Sequence, residues 1–147
     1  MRLGQGHIGH VPRLLAILWA FTRGTAWLPK VRSRFTDLRM ICTVLRRGWV
    51  RVAYEGARPV GFIVREDSRI HALYVHPKAQ GRGVGHALLQ EAKAEVGHLD
   101  LYVLQQNRGA WAFYAREGFA EAGRGIGAGN DENLPDLRMI WHAQEAL

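Results

Sequence analysis

The sequence predicts an α+β fold in which helices flank one mixed β-sheet. Two segments with apolar residues at helical spacing come first, and near Trp49 the pattern changes to that of β-strands. Strands and helices then alternate until a closing pair of strands, which gives the element order ααβββαβαββ. The chain has 147 residues, 48% of them hydrophobic, which suits a single domain over residues 1–147 with its own core.

Two helices are predicted before the first core strand. Apolar residues at helical spacing mark the first helix: Val11, Leu14, Ile17, Leu18 and Phe21. The second helix is predicted over residues 36–47 and ends at Gly48. The first segment also has features of a cleaved secretion signal, with Gly24-Thr25-Ala26 as the cleavage-like site. We favour the folded helix because Arg23 interrupts the apolar run directly before that site.

The remaining elements follow from β-rich runs and from the residues that end them. Strands are predicted over residues 49–54, 59–65, 69–75, 99–104, 120–123 and 137–142. Two more helices are predicted over residues 84–96 and 108–117. Asn107 is expected to cap the second of these helices and Gly118 to end it.

Charge and cysteine content exclude several protein classes. The net charge is +7, and the first 51 residues hold ten Arg or Lys residues against a single acid, Asp37. Such a basic segment is typical of a surface for nucleic acid, membranes or anionic ligands, and equally of an ordinary solvated face. Cys42 is the only cysteine, which excludes an intramolecular disulfide and a zinc site with two thiolates. No apolar run approaches about 18 residues, so we expect no transmembrane helix and a cytoplasmic protein.

A glycine-rich loop between a strand and a helix is the clearest motif. Its sequence is Gln80-Gly81-Arg82-Gly83-Val84-Gly85, and it opens directly into the helix. Glycines let the backbone approach a ligand closely, and a helix N-terminus offers unpaired N–H groups and a positive dipole end. The loop therefore predicts an anion site suited to pyrophosphate. Walker and Rossmann loops are excluded, because His86 follows Gly85 and the spacing of the glycines does not fit.

A second motif follows the next strand, over residues 107–119, and the two motifs together resemble those of the GNAT N-acetyltransferase superfamily. The matching positions are Gln80, Gly83 and Gly85 in the loop and Asn107, Phe113, Tyr114, Gly118 and Phe119 in the second motif. The resemblance extends over residues 49–119 and implies a GNAT-type mixed sheet flanked by helices. It also implies an acetyl-CoA-dependent N-acetyltransferase.

Another glycine-rich segment, Gly123-Arg124-Gly125-Ile126-Gly127, nearly repeats the first loop. No apolar helix follows it, so no helix dipole supports an anion there. We interpret it as a flexible loop between the last two strands.

The resemblance implies that acetyl-CoA lies between the third and fourth core strands. The implied contacts are Leu73, Tyr74, Val75, Gln80, Gly81, Arg82, Gly83, Val84, Gly85, His86, Asn107 and Tyr114. The loop amides would hold the pyrophosphate, and the backbone of Leu73 and Val75 would pair with the pantetheine arm. The N–H of Val75 would polarise the thioester carbonyl. Asn107 would bind the CoA arm, cap its helix, or do both.

The resemblance makes Tyr114 the general acid that protonates the departing sulfur, although a packed aromatic is the alternative. The general base stays open, because Arg69 and His71 occupy the positions where many family members have a glutamate. Strand alternation predicts that His71 shares a face with Leu73 and could point toward the acceptor. Glu66, Asp67, a water chain or no base at all are the alternatives. No compact set of ligands surrounds the histidines, so we expect no metal.

The acceptor is expected to be a primary amine that attacks the thioester directly in a ternary complex. Charge around the expected acceptor side favours a small-molecule amine of mixed charge over a polycation. The basic side carries Trp19 and Trp27, and the loop before the last strand carries Asp131, Glu132 and Asp136. We expect neither a nucleic acid nor a membrane partner, and a monomer or homodimer. The alternative is a non-catalytic CoA-binding module, or a basic module for nucleic acid or protein, on the same fold.

Overall fold

Eleven regular helices and strands occur within residues 1–25, 33–125 and 134–143, which are the residues described by the structure, a computed structural model. In chain order they are β1 (Arg2–Gln5), α1 (Val11–Arg23), α2 (Arg34–Arg46), β2 (Val50–Glu55), β3 (Arg58–Glu66), β4 (Arg69–Val75), α3 (Val84–Glu95), β5 (His98–Leu104), α4 (Arg108–Arg116), β6 (Ala120–Gly125) and β7 (Asp136–His142). The strands form one mixed sheet in the order β1-β2-β3-β4-β5-β7-β6. The predicted α+β class and the mixed sheet are therefore confirmed.

Strand β1 was not predicted from the sequence. This strand pairs antiparallel with β2, from Arg2 opposite Tyr54 to Gln5 opposite Arg51. Its residues are Arg-Leu-Gly-Gln, which include no β-branched or aromatic side chain and so give little local strand signal. The strand forms because the edge of β2 offers backbone partners, and that tertiary cause cannot be recognised from the segment alone.

Two further boundaries differ from the predictions by two residues, and several others differ by one. Helix α2 begins at Arg34 rather than residue 36, because the Ser33 side chain accepts a hydrogen bond from the N–H of Thr36 at 3.1 Å and caps the helix. Strand β6 extends to Gly125, so Gly123, Arg124 and Gly125 pair with β7 instead of lying in a flexible loop. Ile126 and Gly127 lie outside the described residues.

The sheet has a separate hydrophobic core on each face. On one face, α3 buries Leu88 and Leu89 against Leu99 and Leu101 of β5. On the other, α1 buries Leu14 and Ile17 completely, against residues that include Phe62 of β3. Helix α1 is therefore a packed helix of the fold, as favoured by its apolar spacing.

Strands β4 and β5 separate almost as soon as they meet. They are parallel, and Arg69 opposite Asp100 is their one paired position. On the other side of β4, Val64 of β3 lies opposite Ala72 and the next residue, Arg65, lies opposite Ile70. His71 is thus an extra residue in a β-bulge. The divergence opens a cleft in the middle of the sheet, and the bulge lies at the edge of that cleft.

Candidate active site

A cleft of about 870 Å³ lies between β4, β5, the start of α3, α4 and the end of α1. It brings together almost all the residues that sequence analysis assigned to the cofactor and to catalysis. Those that line it are His71, Leu73, Tyr74, Val75, Gln80, Gly81, Gly83, Val84, Gly85, His86, Asn107 and Tyr114. Arg82 does not line the cleft, since its side chain donates to the Glu55 carboxylate at 3.0 and 3.1 Å.

The glycine-rich loop leaves open space above the start of α3. Gly81 and Gly83 have φ values of 79° and 81°, in the left-handed region that favours glycine. A Cβ atom at either position would meet nothing within 4 Å. Gly83 is the N-cap residue, so no side chain caps the helix, and the first turn contains no acid. The first amides of α3 are therefore available to an anion.

Glycine is needed at position 85 for a different reason from that at the other two loop glycines. A Cβ atom there would lie 3.0 Å from the Cζ atom of Phe113 on α4. Glycine at this position lets α4 pack closely against the first turn of α3. His86, the next residue, places its Nδ1 atom 2.7 Å from the Glu117 carboxylate, a hydrogen-bond partner that was not predicted from the sequence.

The backbone of β4 presents polar groups to the cleft. The N–H of His76 donates to the carbonyl of Val60 on β3 at 2.8 Å. Because backbone bonds alternate along an antiparallel strand, Tyr74 bonds toward β3, while the amides of Leu73 and Val75 point toward the gap before β5. The Gln80 side chain lies 3.4 Å from the Val75 carbonyl. This edge of β4 can receive an extended ligand as an added strand.

Tyr114 reaches the cleft from α4 with most of its side chain buried. The rings of Phe113 and Phe119 lie 5.3 and 5.4 Å from its ring, both edge-on. In the described part of the chain its hydroxyl has no hydrogen-bond partner. Burial, with a smaller contribution from the nearby Tyr74, raises the pKa of Tyr114 well above its ordinary value. The phenol therefore stays protonated at neutral pH and can donate its proton.

Asn107 caps α4, as predicted. Its side-chain oxygen accepts the N–H of Ala110 at 3.2 Å. The same side chain lines the cleft, so its amide nitrogen remains as a donor toward a ligand.

The prediction that His71 shares a face with Leu73 is wrong. Leu73 packs in the core beside α3, whereas His71 stacks on Trp49 on the opposite face, with 5.4 Å between ring centres and 18° between the planes. The β-bulge causes this change, because one extra residue shifts the alternation of side chains. The Nε2 atom of His71 lies 3.0 Å from the Glu66 carboxylate.

A charged cluster at the closed end of the cleft was also not predicted from the sequence. Asp100 accepts hydrogen bonds from Arg69 at 2.9 and 2.8 Å and from Arg138 at 3.0 Å. Hydrogen bonding from Arg69 is the main reason that the pKa of Asp100 lies below its ordinary value. An acid between the apolar residues Leu99 and Leu101 of a predicted interior strand is the signal that could have revealed this cluster.

No group of three or more His, Cys, Asp or Glu side chains within residues 1–25, 33–125 and 134–143 could hold a metal ion. Within the described residues, no helix has the length and hydropathy that a membrane span requires.

The motifs and the cleft agree with comparisons to known proteins. Residues 46–139 match the acetyltransferase (GNAT) domain. The chain belongs to the GNAT acetyltransferase family. The peptidyl-lysine N-acetyltransferase YjaB of Escherichia coli is 37% identical over 76 residues, which cover 52% of this chain and 51% of YjaB. The peptidyl-lysine N-acetyltransferase YiaC of E. coli is 39% identical over 95 residues, or 63% of each chain.

The match to the curated relatives covers part of the chain, whereas the match to solved structures covers nearly all of it. The chain spans about half to two thirds of the length of the curated relatives it matches. Over the whole fold, the solution structure of apo YjaB from E. coli has a TM-score of 0.79 at 24% identity and covers 98% of this chain and 100% of YjaB. The PaiA N-acetyltransferase of Thermoplasma acidophilum, solved with coenzyme A, has a TM-score of 0.73 at 18% identity, covering 96% and 98% of the two chains.

Proposed function

We propose that this protein transfers the acetyl group of acetyl-CoA to a primary amine, by direct attack in a ternary complex. The lysine side chain of a peptide or protein is the proposed acceptor. One observation carries the proposal: the uncapped N-terminus of α3 opens into the same cleft that Tyr114 lines. The names of YjaB and YiaC, both peptidyl-lysine N-acetyltransferases, support this acceptor class.

The glycine-rich loop binds the pyrophosphate of the co-substrate. Open space above Gly81 and Gly83 admits a phosphate group close to the backbone, and the first amides of α3 can donate to it. When bound, acetyl-CoA supplies the activated acetyl thioester. The amides of Leu73 and Val75 hold the pantetheine arm along β4, with the N–H of Val75 on the thioester carbonyl. The side-chain nitrogen of Asn107 donates to the same arm.

Tyr114 donates a proton to the departing sulfur. Its phenol is supported in this role by burial, which keeps the proton on the oxygen, and by its position on the cleft wall. An acid that is protonated at neutral pH needs no separate activation.

His71 removes the proton of the incoming amine, and Glu66 orients its ring. The 3.0 Å contact between Nε2 and the Glu66 carboxylate supports this pairing, as does the position of His71 on the cleft wall. A carboxylate on one ring nitrogen leaves the other nitrogen to face the acceptor. Asp67 lies in the adjoining turn and is the alternative base.

A small amine of mixed charge is the second candidate acceptor. Trp27, Asp131 and Glu132, on which the expected mixed charge of the acceptor partly rests, lie outside the described residues. Trp19 donates to Asp37 at 2.9 Å and so serves the packing of α1 on α2. Two opposite charges, Glu66 and Arg69, lie near each other at the closed end of the cleft and favour a small amine of mixed charge.

A thiol-release screen tests the proposal. Acetyl-CoA is offered with peptides that contain one lysine, with small amines of mixed charge and with polyamines, and each product is checked by mass. We expect the lysine peptides to be acetylated fastest. Faster turnover of the small amines would favour the second candidate. Acetyl-CoA binding without turnover of any acceptor would support the non-catalytic module instead.

A further inference from the structure

Two arginines meet one buried carboxylate at the closed end of the cleft. Arg69 and Asp100 are the pair at which β4 and β5 still touch. Arg69 holds the Asp100 carboxylate with two hydrogen bonds, and Arg138 of β7 adds a third at 3.0 Å. Tyr102 of β5, whose ring centre lies 5.1 Å from the Arg69 guanidinium carbon, lines the cleft. We call these three charged residues the arginine cluster.

The arginine cluster has more positive charge and more donors than Asp100 uses. The Asp100 side chain is 9% exposed, whereas those of Arg69 and Arg138 are 39% and 42% exposed. The Nε atom of Arg138 is buried and has no hydrogen-bond partner within the described residues. Glu66 also acts electrostatically on Arg69, but its carboxylate contacts His71. The two guanidinium groups therefore keep unused N–H groups, which can bind a second carboxylate.

The arginine cluster lies on the same face of the sheet as His71. Tyr102 is opposite Arg138 in the β5–β7 ladder, and alternation puts Asp100 on that face too. The neighbouring residues Leu101 and Met139 face the core on the α3 side instead. Arg69 and His71 are two residues apart on β4, which corresponds to roughly 7 Å along a strand. A ligand whose amine lies at His71 can therefore place an anionic group at the arginine cluster.

We propose that the arginine cluster binds a carboxylate of the acceptor, beside the amine that receives the acetyl group. This inference rests on the proposed function and narrows its substrate class. The carboxylate belongs either to an acidic residue next to the target lysine or to the free acid of a small amine. In both cases Arg69 and Arg138 donate to it, while Asp100 fixes the two guanidinium groups in place.

The test compares acceptors that differ only in one charge. One pair is a lysine peptide with Glu or Gln after the lysine, and the other is Nα-acetyl-lysine with a free or an amidated carboxyl group. The variant is Arg138→Gln, because Arg138 makes one bond to Asp100 and the two bonds from Arg69 remain to hold the buried carboxylate. Arg51→Gln is the matched control, since Arg51 is also an ion-paired strand arginine, 32% exposed, bound to Glu91 on α3.

We expect the parent protein to favour the carboxylate member of a pair by about three- to thirty-fold in kcat/KM, mainly through KM. The preference falls toward one in Arg138→Gln and at high salt, and it is retained in Arg51→Gln. A preference within the peptide pair assigns the carboxylate to an acidic residue next to the lysine. A preference within the Nα-acetyl-lysine pair assigns it to the free acid of a small amine. Equal rates for both members in the parent protein, or an unchanged preference in Arg138→Gln, would overturn the inference.

A second measurement keeps this test independent of catalysis. The melting temperature of the CoA-loaded protein is recorded with the carboxylate and the amide member of each pair. If no acceptor is acetylated, the proposed function fails. The inference then still stands if the carboxylate member alone stabilises the parent protein and not Arg138→Gln, and it falls if the two members act equally.

Discussion

Tyr114 and His71 line the same cleft in very different surroundings. Tyr114 is 8% exposed and packed between aromatic rings, so its environment favours the neutral phenol. His71 is exposed, stacked on Trp49 and paired with Glu66. Tyr114 is buried and keeps its proton, so it suits a proton donor. The accessible imidazole of His71 suits a proton acceptor.

Tyr114→Phe keeps the ring and removes the proton. General acid catalysis contributes about a hundred- to ten-thousand-fold, and a thiol is a fair leaving group, so we expect kcat to fall by roughly thirty- to three-hundred-fold. Acetyl-CoA affinity should change little, because the lost interaction is made in the transition state. Tyr54→Phe is the control, since the Tyr54 hydroxyl contacts His10 outside the cleft. Parent-like turnover of a well-folded Tyr114→Phe protein would reduce Tyr114 to a packing residue.

His71→Gln and Glu66→Gln separate the base from the residue that orients it. We expect His71→Gln to lower kcat/KM by about a hundred-fold. Glu66→Gln should cause a smaller loss, because the imidazole remains. Steady-state kinetics of both variants with a lysine peptide provide the comparison. If Asp67→Asn abolishes activity and His71→Gln does not, the base is misassigned.

In the proposed function, co-substrate binding depends on the start of α3. Gly83→Val forces a β-branched residue into a left-handed conformation and fills the space above the helix N-terminus. We expect acetyl-CoA to raise the melting temperature of the parent protein and to have no such effect on this variant.

Gly56→Val is the matched control for backbone strain. Gly56 has a φ of 60° in the β2–β3 turn, and a Cβ there also meets nothing within 4 Å. The control should lose stability comparably and still respond to acetyl-CoA. Equal stabilisation of the folded Gly83→Val protein would contradict the assignment of the loop.

We expect the short segment before α1 to make the fold sensitive to mild acid. His10 is buried, its Nδ1 atom accepts the N–H of His7 at 3.0 Å, and its other nitrogen contacts the Tyr54 hydroxyl. Burial, with a smaller contribution from His7, lowers the pKa of His10 below its ordinary value of 6.5. The unfolded chain therefore binds this proton more readily, so the free energy of unfolding falls as the pH drops below about 6.5.

A series of melting curves from pH 7.5 to 5 checks this sensitivity. The loss of melting temperature should be smaller in His10→Asn, whose amide can accept from His7 without titrating. The pKa of His76 is also lowered, chiefly by burial, so part of the loss should persist in this variant. His142, exposed on β7, provides the control variant His142→Asn. An unchanged pH dependence in His10→Asn would refute the assignment.

Local patterns predicted most elements, and tertiary contacts decided those that were missed. Strand β4 and the start of α3 were predicted at the observed residues, because Pro77 and the glycines of the loop mark their ends. Strand β1 depends on the edge of β2, and the bulge at His71 depends on the register with β3. Neither cause can be recognised from the local sequence. For this reason the predicted face of His71 was wrong.

For the candidate site, the motifs predicted which residues line the cleft better than they predicted which residues these side chains contact. The loop and Tyr114 were assigned from a pattern of residue types, and the cleft contains them. The partners of Arg82, His86 and Asp100 lie 27, 31 and 31 residues away in the chain, and pairs so distant follow only from the folded sheet.

For the whole molecule, one feature of the sheet connects fold and function. The separation of β4 from β5 leaves one edge of β4 unpaired inside the sheet and creates the cleft between the two cores. The same separation ends at Arg69 and Asp100, where the arginine cluster lies. In the proposed function, the mixed sheet therefore supplies a strand edge for the co-substrate and a charged boundary for the acceptor.

Transfer of an isotopically labelled acetyl group tests the central claim most directly. The parent protein is incubated with labelled acetyl-CoA and a lysine peptide, and both the labelled peptide and the released thiol are quantified. We predict one labelled peptide for each thiol released, with strong loss in Tyr114→Phe and Gly83→Val and little change in Gly56→Val. Thiol release without labelled peptide, or bound acetyl-CoA that labels none of the amines offered, would contradict the account.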